Sequence, residues 1–312
     1  MEVPVFVFTG FIDSGKTTLM RDTIESPDFA AYRNLIIMCE DGDEEYSPEF
    51  LKKNHAFLVE VSSPEELTDA FLADLAKKYT PDQVMIEYNG TWTMTSILNR
   101  RLPRGWEFYG IYSTVDTATA DGYLNNMRQM FMEQFSQSGL IIFNRCDESV
   151  DRPRLRRIFK AFNPGAQVIF ERPDGEMYDP ADEPLPYDIN ADVIEVDDLD
   201  YGVWYIDAMD HPERYMNKKI RFLAQVYRGK DLPAGTFVPG RFIMTCCAND
   251  IRFMGYMCSY PDAFAYKQRD WVRVTVSFDH KFIKEYGEKA PFLSLVDITP
   301  AEKAEQDPVY LN

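Results

Sequence analysis

Val3 to Met20 reads VPVFVFTGFIDSGKTTLM. An apolar run rich in valine and phenylalanine stops at Thr9, a glycine-bearing loop follows, and a helical pattern begins behind Lys16. The loop GFIDSGKT fills every fixed position of G-x-x-x-x-G-K-[ST], after a strand pattern and ahead of a helical one. Gly10 and Gly15 let the backbone wrap, so that N–H groups along Asp13, Ser14, Gly15, Lys16, Thr17 and Thr18 turn inward as an anion cradle. Lys16 is spaced to reach terminal phosphate oxygens, and Thr17 to place a hydroxyl on Mg²⁺.

Working outward, PVFVF, NLIIMCE, AFLVEV, QVMIEY, YGIYSTV, GLIIF and AQVIF are continuous apolar runs, as strands buried on both faces should be. Amphipathic segments lie between them. One is SPEELTDAFLADLAKKY, for which Ser63 is the expected N-cap with Pro64 and Glu66 behind it. Strand and helix in alternation predict an α/β fold with a mostly parallel sheet over residues 1–170. Residues 171–192, rich in proline and acid, read as a linker. Five strand patterns spaced by turn residues follow a short helix, and predict a small β-barrel of the OB-like type over 193–312.

The phosphate loop does not choose a base. In LIIFNRCD, Asn144, Arg145 and Asp147 end a strand in the N-K-x-D arrangement, with arginine in the lysine position. A carboxylate there takes two hydrogen bonds from guanine N1–H and the N2 amino group, which adenine cannot supply, so GTP is the expected nucleotide. Arg145 offers a planar cation to lie along the base. In VMIEYNG, Glu87 ends a strand where a carboxylate meets Mg²⁺ or orients water, and Gly90 leaves room beside the γ-phosphate. Lys16 and Glu87 are therefore the expected catalytic pair. The acidic stretch MCEDGDEEYSP, with Cys39 and Glu40 at its start, occupies the place of a switch loop, and Glu40 is a further candidate metal ligand.

These motifs together, with FNPGAQVIF, resemble the CobW branch of the GTPases that includes UreG and HypB. The resemblance implies nucleotide-gated metal handling, and a C-x-C-C between the second strand and the E-x-x-G strand. This chain has KKNHAFLVEVSSPEEL there, without cysteine. The second half, through VPGRFIMTCCANDIRFMGYMC, DWVRV and DPVYLN, resembles the C-terminal domain of YcgQ-type proteins, which implies a module working with a membrane permease.

Composition sets limits on both halves. The 312 residues suffice for two domains, and 45% hydrophobic with 27% charged content is that of a soluble globular chain. A net charge of −18 argues against a nucleic-acid partner. No run approaches the ~20 apolar residues of a membrane span, and the first apolar run is too short for a secretory signal. The five cysteines (Cys39, Cys146, Cys246, Cys247, Cys258) form no regular framework, as expected of reduced thiols in a cytoplasmic protein. In a strand Cys246 and Cys247 would face opposite ways, so only one could join Cys258; a tetrahedral thiolate site is incomplete without other ligands, and the three read as small buried core thiols. His55, His211 and His280 are scattered, and the barrel aromatics Phe222, Tyr227, Phe242 and Trp271 read as core packing. YLNNMRQMFMEQF has its apolar residues at helical spacing, as a core-facing or partner-facing helix would. The sequence thus predicts a Mg²⁺-dependent GTP-binding protein with slow GTPase activity, coupled to a metal transport or insertion partner. The alternative is a regulator that senses nucleotide without hydrolysing it, or an adaptor of a permease. A P-loop kinase would need an arginine-rich lid, which the sequence lacks.

Overall fold

The computed structural model describes residues 2–40, 46–179, 184–229, 232–244, 251–260 and 265–310. The chain divides into two compact units, one of residues 1–152 with 162–182, the other of 153–161 with 183–312. Among the described residues no helix is long and apolar enough to cross a membrane.

In the first unit the chain runs β1 (Val3–Thr9), α1 (Lys16–Glu25), β2 (Asn34–Met38), α2 (Pro48–Lys53), β3 (Ala56–Glu60), α3 (Asp69–Tyr79), β4 (Gln83–Glu87) and α4 (Met94–Leu98). It continues through β5 (Trp106–Asp116), α5 (Thr117–Asn126), α6 (Arg128–Glu133), β6 (Leu140–Asn144) and, after α7 (Arg152–Phe162), of which residues 153–161 belong to the second unit, β7 (Gln167–Phe170). The seven strands form one sheet in the order β3-β2-β4-β1-β5-β6-β7. Every pairing is parallel.

The continuous apolar runs follow from this. Val5, Val7, Leu35, Ile37, Val84 and Ile86 meet Leu72 and Leu75 of α3 and Ile97 of α4 on one face. Phe6, Phe8, Ile36 and Met85 meet Met20 and Ile24 of α1 and Phe50 of α2 on the other. Alternate residues of a strand point to opposite faces, so a strand covered twice must be apolar throughout. Each such buried side chain contributes about 1.5–3 kcal/mol relative to exposure. Because all strands are parallel, the residues that end them collect along one edge of the sheet.

Two local expectations are corrected. The helix expected to open at Ser63 begins at Asp69, with Thr68 as its N-cap. Residues 63–66 form a turn closed by Glu66 N–H on Ser63 O at 3.2 Å, and Leu67 is fully buried there. YLNNMRQMFMEQF is broken at Met127, with Leu124, Phe131, Met132 and Phe135 buried on the two helices and behind the second. Its core-facing reading holds in two pieces.

In the second unit β8 (Val193–Glu195), β9 (Lys219–Tyr227), β10 (Thr236–Met244), β11 (Arg252–Gly255), β12 (Cys258–Ser259), β13 (Trp271–Ile283), β14 (Glu288–Pro300) and β15 (Val309–Tyr310) make a mixed sheet, with helix α8 (Tyr201–Asp210) between β8 and β9 in the chain. β10 pairs with both β9 and β12, so the ladder returns on itself through β9, β10, β12, β14 and β13. One of the five strand patterns, the run IRFMGYMCSY, is two strands (β11 and β12), split at Tyr256 and Met257. Phe222 is fully buried and packs on Trp204 of α8 at 4.6 Å between ring centroids. Tyr227 is 40% exposed, which the core reading did not anticipate. Phe242 packs edge-on against Phe253, and Trp271 lies under the Arg241 guanidinium.

Candidate functional site

The loop between β1 and α1 turns at the carboxyl edge of the sheet. Gly15 has φ +93°, and a Cβ on it would lie 2.6 Å from Asn144 Nδ2, so neither the torsion nor the space admits a side chain. The Lys16 side chain is buried and folded over the loop, donating from Nζ to the carbonyls of Gly10 and Phe11, each at 2.9 Å. The same ammonium pairs with Glu40 Oε2 at 2.5 Å. Ser14 Oγ shares a hydrogen bond with Thr114 Oγ1 of β5 at 2.8 Å, and Ser14 O accepts from Asn144 Nδ2 at 2.7 Å. The loop is thereby tied to the ends of β5 and β6. Asp13, in the left-handed region at φ +58°, exposes its side chain, and its carbonyl accepts from Arg145 at 3.0 Å. Thr18 is exposed on the first turn of α1.

On the other side of the loop, Thr17 Oγ1 donates to Glu87 Oε1 at 2.5 Å and Tyr46 OH donates to Glu87 Oε2 at 2.6 Å. Glu87 ends β4, the neighbour of β1, and is 4% exposed. Burial raises its carboxyl above the ordinary value, against the lowering effect of the Thr17 and Tyr46 hydrogen bonds and the Lys16 charge. A hydroxyl and a carboxylate brought together in this way are hard oxygen ligands and suit Mg²⁺. Gly90 lies so close to the loop that a Cβ would meet Gly10 O at 2.2 Å. Cys39 is buried beside this acid cluster, and burial pushes its thiol up to about 12.

Toward β6 and β7 a cavity of about 230 Å³ opens from Gly15 and Thr18, past Asn144 and Arg145, to Glu171 and Arg172. Asn144 Oδ1 is buried there without a partner. Arg145, at φ +55°, pairs with Asp116 at the end of β5. Asp147 is exposed, and its Oδ1 accepts from Ser149 N at 2.8 Å and Ser149 Oγ at 2.5 Å, which hold its carboxyl below the usual range. Burial, with the Asp22 charge, raises the Glu171 carboxyl.

The structure therefore brings Gly10, Ser14, Gly15, Lys16, Thr17, Glu40, Glu87, Asn144 and Arg145 around one loop. Asp147 stands beyond the residues that line the cavity. Thr114, Tyr46, Glu171 and Arg172 have no motif in the sequence to mark them. Their one signal is position at or behind a strand or switch-loop end. Residues 41–45 of the acidic stretch, and Cys246 with Cys247, lie outside the described residues. Cys258 is buried, with its thiol raised by desolvation. Among the described residues no group of three or more His, Cys, Asp or Glu is placed to hold a metal ion.

Residues 4–170 match the family described as CobW/HypB/UreG, nucleotide-binding domain, and residues 176–311 match the DUF1980 C-terminal domain. No curated protein matches the chain. Among solved structures, the chain is similar to the Zn(II)-bound YjiA GTPase from E. coli at 21% identity and a TM-score of 0.42, over 54% of this chain and 57% of that one. It is similar to the hydrogenase maturation factor HypB from Archaeoglobus fulgidus at 21% identity and a TM-score of 0.39, over 55% and 81%. FlhF complexed with GMPPNP/Mg(2+) matches at 16% identity and a TM-score of 0.34, over 58% and 72%. The match thus spans little more than half the length of YjiA.

Proposed function

The chain belongs to the CobW/HypB/UreG nucleotide-binding family through residues 4–170, and from that premise we propose that it is a Mg²⁺-dependent GTP-binding protein with slow GTPase activity, whose nucleotide state is coupled to a metal transport or metal insertion partner. The observation that carries this reading is the phosphate loop with Lys16 folded over it and Thr17 hydrogen-bonded to Glu87. In this reading residues 1–170 form the nucleotide-binding domain, 171–192 are the linker, whose first residues also line the cavity, and 193–312 engage the partner. The closed five-strand ladder of the second unit supports an OB-like barrel as that module.

Lys16 exchanges its Glu40 and carbonyl contacts for β and γ phosphate oxygens and stabilises the charge that grows on them. The loop N–H groups around Ser14 and Gly15 fix the phosphates in line for attack. Thr17 and Glu87 would hold Mg²⁺, whose charge, once bound, neutralises the phosphate oxygens. Glu87 also orients the attacking water by accepting its hydrogen bond. Asn144 stiffens the loop through Ser14 O, while Asp147 releases Ser149 and takes the guanine N1–H and N2 amino group. Arg145 lies along the base. The free, buried thiols Cys39, Cys146 and Cys258 are consistent with a cytoplasmic setting.

Single-turnover hydrolysis with protein in excess over GTP and with Mg²⁺ present tests the reading. Slow formation of GDP, lost in Lys16→Ala together with about tenfold or more of the triphosphate affinity, is the expected result. GTP bound tightly but recovered intact would replace the GTPase with a nucleotide-sensing regulator. Absence of any GTP binding would remove both.

A further inference from the structure

Arg172 follows β7, outside every motif that the sequence displays. It lines the cavity of about 230 Å³ together with Gly15, Thr18, Asn144 and Glu171. Its Nε is buried without a hydrogen-bond partner. Its guanidinium carbon lies 4.2 Å from the centre of the Tyr178 ring, and Arg152 stacks on the same ring at 3.7 Å. Tyr178 is in turn fixed by its hydroxyl, which donates to Glu148 Oε1 at 3.1 Å. The Arg172 N–H donates to Glu176 O at 2.7 Å, so the backbone that carries the side chain is also tied. A planar fork of donors is thus held at the far end of a cavity that starts at the phosphate loop.

The charges around it limit what it can meet. Glu171 and Asp22 line the same cavity together with Arg145, so two carboxylates offset its two guanidiniums and oppose a second phosphate there. A neutral ligand edge with two adjacent acceptors suits both the fork and the balanced charge around it. Guanine presents such an edge in O6 and N7, the commonest bidentate partner of arginine. Adenine puts its N6 amino donor where guanine has O6, so the same fork would face a donor and be left unpaired.

We infer that Arg172 is a specificity-determining residue, donating to the O6 and N7 acceptors of bound guanine. It selects guanine from the edge opposite the one assigned to Asp147. The inference rests on the guanine-nucleotide reading above.

Competition binding of GTP, ATP and deazaguanosine triphosphate, which lacks N7, tests it on the unmodified protein and on Arg172→Ala, Arg172→Lys and Lys16→Ala. Arg172→Ala should weaken GTP by roughly 5- to 100-fold while ATP changes by less than about twofold. The unmodified protein should bind GTP more tightly than the deaza analogue, and Arg172→Ala should abolish that gap. Arg172→Lys keeps a cation beside Tyr178 without the planar fork, so it should retain the melting temperature and still lose selectivity. Equal loss of GTP and ATP in Arg172→Ala would make the residue a general electrostatic aid and overturn the inference. Unchanged GTP affinity would overturn it as well. Failure of the nucleotide reading is distinguishable, because the unmodified protein would then bind neither GTP nor ATP and Lys16→Ala would change nothing.

Discussion

Glu87 meets two opposing requirements. Ionised, it accepts from Thr17 and Tyr46 through both of its oxygens, yet burial favours its neutral form and raises its carboxyl above the ordinary value. The native state therefore binds this proton more tightly than the unfolded chain. The stability it supplies is complete below the unfolded value and is lost as pH rises through the raised native value. Melting of the nucleotide-free protein across the mildly acidic range should show this loss. Glu87→Gln removes the titrating group and should flatten the slope, while Mg²⁺-dependent hydrolysis falls. An unchanged slope would mean that Glu87 titrates normally. Glu40 has a different role: its carboxylate holds the Lys16 ammonium at 2.5 Å, the group that a phosphate must recruit. Glu40→Gln removes the competing charge and should tighten GTP binding by roughly five- to tenfold in calorimetry, given what a charged hydrogen bond contributes. Weaker binding would show instead that Glu40 helps to hold the nucleotide.

At the level of elements, the start of α3 shows how sequence and packing divide the work. Ser63, Pro64 and Glu66 carry a helix-start signature, but Leu67 is fully buried and the Thr68 N–H donates to Glu66 O at 2.7 Å, so the chain turns before the helix begins. Thr68 Oγ1 then accepts from Phe71 N at 3.1 Å and caps the helix. Thr68→Ala should cost about 1 kcal/mol in chemical denaturation, and Ser63→Ala clearly less. The reverse order would restore the longer helix. The strands were more legible than the helix ends. Burial on both faces writes itself into seven apolar runs, whereas a cap depends on which of several hydroxyls the packed chain brings near a free N–H. The second unit was less legible, because β11 and β12 share one apolar run and part only where β10 changes partner.

For the whole molecule, the thiols decide whether a metal-carrying role belongs to the chain itself. Cys39, Cys146 and Cys258 are buried, and each thiol is raised by desolvation, which disfavours the thiolate that zinc requires. Purified protein should carry well below one equivalent of zinc by elemental analysis. One tightly held equivalent, lost on changing Cys246 or Cys247 to Ser, would locate a carrier site in the second unit. The sequence by itself determined the phosphate loop, the parallel α/β half and the acid of the E-x-x-G strand. Each is a local signal: a spacing of a few residues, or a run of apolar side chains. It did not determine which of its polar residues would meet. The parallel strand order sets Thr114, Asn144, Glu87 and Arg172, far apart in the chain, along one edge of one sheet. Only the packed sheet decides that Asn144 braces Ser14, that Tyr46 shares Glu87, and that Arg172 reaches the cavity while Asp147 rests on Ser149. Such contacts depend on distances in space, which no residue spacing along the chain records.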